Sequence, residues 1–311
     1  MVRNKVQFQR GLSLNEFIKT YGSEARCFDA LYAWRWPNGY QCPYCGHDKG
    51  CQLKTRKLQQ CNRCHHQTSI TAGTLFESTR LPLAIWFQAI YLISQDKKGV
   101  SAMELHRHLG ISYHAAWRMK HKLMQAMLER EQDKTLSGFI EIDDAYLGGE
   151  RTGCKRGRGA AGKTPFVAAI QTTHDRQPVK IKLSVVDGFT KKALAHWSQQ
   201  HLEPGSTVIS DGLACFNAVT DTGCVHDRIV CGGGRASVEE TEFYWVNTVL
   251  GNLKSALRST YHSVSARYAS RYLAEFQYRF NRRFDLMSFI PRFFYVALRT
   301  PPFPEKLLTL A

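Results

Sequence analysis

The chain has 311 residues, 43% of them hydrophobic, and carries 42 Lys and Arg against 26 Asp and Glu, a formal net charge of +16. That length and apolar content exclude a disordered protein and allow one large core with one or two smaller modules, and the positive excess points to a polyanionic partner, nucleic acid first. No run reaches the roughly 18 apolar residues of a membrane-spanning helix, and no apolar signal core follows Met1–Lys5, so a cytoplasmic protein is expected, one whose ten cysteines serve as metal ligands or free thiols rather than disulfides.

In chain order, Ser13 is placed to cap a helix over Leu14–Tyr21, and a second helical pattern runs over Glu24–Trp34. Residues 40–75 are rich in Cys, Gly and Gln and too polar for a buried core. Within them Cys42-Pro-Tyr-Cys45 is followed, after fifteen intervening residues, by Cys61-Asn-Arg-Cys64. Two such knuckles can each present two thiolates to a tetrahedral ion, so a structural Zn2+ held by Cys42, Cys45, Cys61 and Cys64 is expected; His47, Cys51, His65 and His66 read as bystanders.

An aromatic helix is predicted over 81–96, and a helix pair over Ser101–Leu109 and Ser112–Arg130, joined at Gly110-Ile111. Ser112 stands where an N-cap belongs, and the pair fits a helix-turn-helix pattern. In that reading Tyr113, His114, Arg118, Lys120 and His121 are offered to a DNA groove; a plain helical hairpin is the alternative.

From Gly138 the texture changes to alternating strands and helices, with strands predicted at 138–147, 165–173, 178–187, 206–210 and 225–231 and helices at 190–202 and 212–219. The last third, 242–300, reads as helical and ends in Pro301-Pro302-Phe303-Pro304. Three modules follow: terminal helices and ribbon over 1–78, a helix-turn-helix-like region over 79–135, and an α/β domain over 136–300. Between strands, 150–163 is rich in Gly and basic residues, with Lys155, Arg156 and Arg158 available to DNA.

In the first of these strands, Ile140 and Ile142 alternate with Glu141 and Asp143, which puts the two acids on one face. A row of carboxylates is costly there unless solvated, paired or holding a cation. A second apolar run, Thr207-Val-Ile-Ser, ends in Asp211-Gly212, placing another carboxylate at a strand's C-terminal edge. Asp143 and Asp211 could therefore share Mg2+ or Mn2+, hard cations that take oxygen ligands and leave positions open for phosphate. Asp144 points away from Asp143 by strand alternation and ranks lower, Glu141 could support the site or pair with an Arg, and Asp211 could simply cap the following helix.

These segments resemble the insertion-sequence transposases of the ISXO2-like group: Glu-Ile-Asp143-Asp-Ala-Tyr-Leu-Gly-Gly, Ser-Asp211-Gly, Val-Asn247-Thr-Val-Leu-Gly-Asn-Leu-Lys254, Thr260-Tyr-His262 and Glu275-Phe-Gln-Tyr-Arg279-Phe-Asn-Arg282. The likeness covers about residues 20–295. It implies an α/β fold, a ribonuclease H-like mixed sheet with flanking helices, preceded by the zinc ribbon and helix-turn-helix module. It also implies a metal-dependent DNA transposase whose site is Asp143, Asp211, Asn247 and Lys254. Relatives with the acidic version carry Glu seven positions before the Lys; here Asn247 stands there, two helical turns away and on the same side as Lys254, whereas Asn252 points elsewhere. Glu239, Glu240 and Glu242 are alternative third ligands.

The partners implied are double-stranded DNA at transposon ends and target, met as a homodimer or higher oligomer, with Arg279 and Arg282 of the tail interleaving aromatics as candidate phosphate contacts. The plainer reading of the tail is an amphipathic cap on the sheet. The alternatives in function are a transposase-derived DNA-binding regulator, in which Asn247 marks lost catalysis, and a nuclease without strand transfer.

Overall fold

The computed structural model describes residues 10–53, 56–148, 162–230 and 241–310. The chain divides into two compact units: one of 1–96, 102–126 and 284–310, the other essentially 97–101 and 127–283. No helix among the described residues is long and apolar enough to cross a membrane.

The first unit holds helices α1 (Leu14–Tyr21), α2 (Glu24–Arg35), α3 (Leu83–Gln95), α4 (Ala102–Leu109) and the first part of α5 (Tyr113–Gln132). It also holds a small antiparallel sheet of β1 (Gly50–Leu53), β2 (Leu58–Cys61) and β3 (Gln67–Ser69). Ser13 caps α1 in a full capping box with Glu16. Ser112 accepts the N–H of Ala115 and so caps α5, and Gly110 takes the left-handed conformation of the turn before it (φ 63°). Segment 284–310, read from sequence as part of the α/β module or its tail, belongs to this unit. Its helix Phe289–Ala297 brings Phe294 against Phe87, with ring centroids 4.0 Å apart, and against Trp34 at 5.2 Å. A run of apolar side chains at that helical spacing has to be covered, and here aromatics of α2 and α3 cover it.

The second unit is a five-stranded mixed sheet in the order β6-β5-β4-β7-β8, formed by β4 (Phe139–Leu147), β5 (Thr164–Thr172), β6 (Pro178–Val185), β7 (Thr207–Ser210) and β8 (Val225–Arg228). β4, β5 and β6 pair antiparallel, and β4–β7 and β7–β8 pair parallel. Strand alternation sorts the core into two layers. Ile140, Ile142, Val167, Ala169 and Val208 pack with Leu194 and Trp197 of α6 (Lys191–His201) and with Phe216 and Val219 of a 3-10 helix over Ala214–Thr222. On the other face Ala145, Leu147, Phe166, Ala168 and Ile170 pack with Val246, Val249, Leu250 and Leu253 of α7 (Tyr244–Thr260) and with Ala269 and Leu273 of α8 (Ala269–Phe280). Burial on both faces explains why β5 reads as a near-continuous apolar run.

The free edge of β6 is closed by side chains. Gln277 Oε1 accepts the N–H of Leu183, Asn281 accepts that of Ile181 and donates to its carbonyl, and Arg283 donates to the carbonyls of Pro178 and Val179. The tail motif therefore serves as an edge cover.

Candidate metal centres and their surroundings

The ribbon brings its four sulfurs together. Cys42, Cys45, Cys61 and Cys64 each offer a sulfur within 4.8 Å of the others, and Cys42–Cys64 and Cys45–Cys61 lie 3.6 Å apart. Four sulfurs about 2.3 Å from a tetrahedral Zn2+ would be separated by about 3.8 Å, so the residues fit the ion. The two knuckles repeat one hydrogen-bond pattern: Cys42 N–H to the His47 carbonyl and Gly46 N–H back to Cys42, then Cys61 N–H to His66 and His65 N–H back to Cys61. Gly46 and His65 occupy the matching left-handed position. The backbone N–H of Arg63 also points at the Cys61 sulfur, 3.4 Å away, an arrangement that favours thiolate.

The second centre lies at the C-terminal end of the parallel pair. Ile142 faces Ser210 in the last step of the β4–β7 ladder, so Asp143 and Asp211 come next on neighbouring strands. Their carboxylates and that of Asp144 lie within 4.8 Å of one another. The expectation that Asp144 stands apart is therefore corrected. β7 has already ended, and past its last residue a carboxylate from either face of β4 can swing to the same edge. Asp211 Oδ1 accepts the N–H of Leu213, and Asp143 Oδ1 that of Asp144. Burial pushes the Asp143 carboxyl up to about 7, the charges of Asp144 and Asp211 add to the rise, and Lys254 acts against it. Such crowding is what a divalent cation relieves.

Helix α7 carries the remaining sequence candidates. Its buried stripe is Val246, Val249, Leu250, Leu253 and Ala256. At about 100° per residue, half-buried Asn247 and the exposed Gly251 and Lys254 fall on one flank of the stripe, while Asn252 falls on the other. Lys254, on the first flank, is the cation that acts on the Asp143 carboxyl. Glu242, offered as an alternative ligand, meets Arg176 at 3.2 Å; Glu239 and Glu240 lie outside the described residues.

Glu141 neither joins the acid cluster nor chiefly serves an Arg. It is 5% exposed, and its Oε2 accepts the backbone N–H groups of Trp245 (3.0 Å) and Val246 (2.8 Å) at the start of α7. Burial still raises its carboxyl to about 7 against those two donors. Sequence reasoning missed this role; the available signal was Phe243, which stands at the N-cap of α7 with no oxygen to offer. His226, near Asp211 in space, joins Ser210 Oγ at 2.8 Å and ties β8 to β7.

The candidate DNA-contacting residues divide. Tyr113, His114 and Arg118 are exposed on α5, and Glu305 lies 2.7 Å from His114 and 3.4 Å from Arg118. Lys120 is 1% exposed and His121 equally buried, a correction to their reading as surface groups: they fall on the inner side of α5. Arg282 is corrected too, being buried and paired with Glu131, and Arg279 is half-buried and donates to the carbonyl of Lys97. Lys155, Arg156 and Arg158 lie outside the described residues.

Comparison with known proteins agrees with this layout. Residues 22–67 match the transposase zinc-ribbon domain, and residues 135–281 match the ISXO2-like transposase domain. A relative from Halobacterium salinarum, an uncharacterized protein in transposable element ISH50, is 28% identical over 236 residues, covering 70% of this chain and 77% of its own length.

Proposed function

The chain belongs to the ISXO2-like transposases, with a transposase zinc-ribbon domain ahead of the transposase domain, and on that premise we propose that it cuts DNA at the terminal inverted repeats of its element and joins the freed ends to target DNA. The observation that carries the reading is the meeting of Asp143 and Asp211 at the end of two parallel strands. The mixed sheet with helices on both faces is what a ribonuclease H-like assignment requires, and it supports that assignment.

Asp143, Asp211 and the amide oxygen of Asn247 would hold Mg2+ or Mn2+; when bound, these ions supply Lewis-acid activation of the attacking oxygen and charge relief on the leaving one. Lys254 offers a compact positive charge to a DNA phosphate. The exposed residues Tyr113, His114 and Arg118, with the ribbon, are the surfaces offered to the terminal repeats, and synapsis of two ends calls for at least a dimer. Asn247 in place of an acid favours a second reading, a repeat-binding regulator without catalysis. Against it, Asp144 restores a third carboxylate to the cluster.

The test is a strand-transfer assay with labelled terminal repeats and Mg2+ or Mn2+. Joined products support the transposase. Repeat binding without cleavage under either metal supports the regulator, and cut ends that never join point to a nuclease.

A further inference from the structure

We propose that Glu141 is a positioning residue, which holds the start of α7, and with it Asn247 and Lys254, in register with Asp143. The proposal rests on the reading of Asp143, Asp211 and Asn247 as a metal site.

A helix leaves its first N–H groups without intrahelical partners, and they are normally met by a Ser, Thr, Asp or Asn at the N-cap. α7 has Phe243 there and no side-chain cap of its own. Glu141 supplies the missing acceptor from the middle of the sheet, 104 and 105 residues earlier in the chain. Its position matters more than its energy. Glu141 is two residues from Asp143 on the same face of β4, and its partner Val246 is one residue from Asn247. One buried side chain thus joins the two elements whose ligands must converge.

A second latch also holds the helix start, where the Arg176 carbonyl accepts the Trp245 indole N–H and the Arg176 guanidinium meets Glu242. That latch comes from the turn between β5 and β6 and touches no ligand-bearing strand end. The same remote capping is seen at α3, which starts behind Pro82: Glu24 accepts the N–H groups of Leu83 and Ala84, each at 2.9 Å. No acidic cluster adjoins Glu24 among the described residues, so it provides the purely structural comparison.

The experiment measures Mn2+ binding to the zinc-loaded full chain by the magnetic resonance signal of free Mn2+, with Asp143→Asn defining the site-specific part, and hydrogen exchange of segment 244–250. Glu141→Ala should weaken that Mn2+ binding about tenfold or more, as loss of a ligand's support commonly does, and should speed exchange in 244–250. Glu141→Gln keeps an acceptor oxygen and should stay within about threefold of wild type; it also carries the test if the Ala variant fails to fold. Glu24→Ala should leave Mn2+ binding unchanged. Wild-type binding and exchange in Glu141→Ala, an equal loss in Glu141→Gln, or an equal loss in Glu24→Ala would each overturn the proposal. If wild type shows no Asp143-dependent Mn2+ binding, the metal-site reading fails, and exchange of 244–250 then decides by itself whether Glu141 holds the helix.

Discussion

Arg282 Nη1 lies 2.8 Å from Glu131 Oε1, and both side chains are buried. The guanidinium also sits 3.3 Å over the Tyr278 ring, while the second Glu131 oxygen accepts from Gln277 and Asn281 and Lys134 reaches the first. Removing one partner leaves an uncompensated charge in the interior, at a cost of about 3–5 kcal/mol. Arg282→Ala should therefore lower the melting temperature sharply while leaving the salt dependence of DNA binding by the folded fraction unchanged. A loss of about one unit from the slope of log affinity against log salt would instead return Arg282 to the phosphate backbone.

Acid should find the same network. Burial works against the Glu131 charge, but Arg282 and Lys134 outweigh it and hold the carboxyl down at about 2, from an ordinary 4.5. A depressed carboxyl stabilises the fold above its unfolded value and loses that contribution as pH falls from about 4.5 toward 2. Over 2.5 units this amounts to roughly 3 kcal/mol. Denaturant titrations at pH 6 and pH 3 should show a loss of roughly 2 kcal/mol in wild type, because pH 3 still lies above the folded value, and a much smaller one in Glu131→Gln.

At the acid cluster the sign reverses. A carboxyl raised to about 7, as for Asp143, stabilises the metal-free fold below its unfolded value, and the contribution is lost as pH rises through 7. Mn2+ should therefore raise the melting temperature more at pH 8 than at pH 5.5, and Asp143→Asn should remove the difference. Equal stabilisation at both pH values would rule out Asp143 as the ligand that titrates.

On α7, Asn247→Ala should abolish cleavage while Asn252→Ala spares most of it, because only Asn247 shares the Lys254 flank. Cleavage assays on the two variants decide, and the opposite ranking would sink the assignment.

For the ribbon, zinc removal by a chelator, or Cys45→Ser, should release one Zn2+ per chain, measured by metal analysis, and abolish repeat binding, because a small sheet of short, polar strands buries too little to fold without its ion.

Much of this protein is written locally. Alternation of Ile140, Glu141, Ile142 and Asp143 identified β4 to within a residue, and the paired Cys spacing identified the ribbon. The seven residues from Asn247 to Lys254 put both on one side of a helix, because periods of two and 3.6 residues are properties of the chain itself. The sequence therefore determined the elements, the zinc ligands and the leading acids.

The tertiary structure alone decided which polar groups meet. Lys120 and Arg282 look like surface cations until helix packing turns them inward. Asp144 looks misdirected until β7 ends two residues short of it, and Glu141 looks like a support for the site or an Arg partner until α7 arrives with an uncapped end. For Arg282, Asp144 and Glu141 the deciding partner lies far along the chain, and its arrival depends on sheet register and helix docking, which no local period encodes.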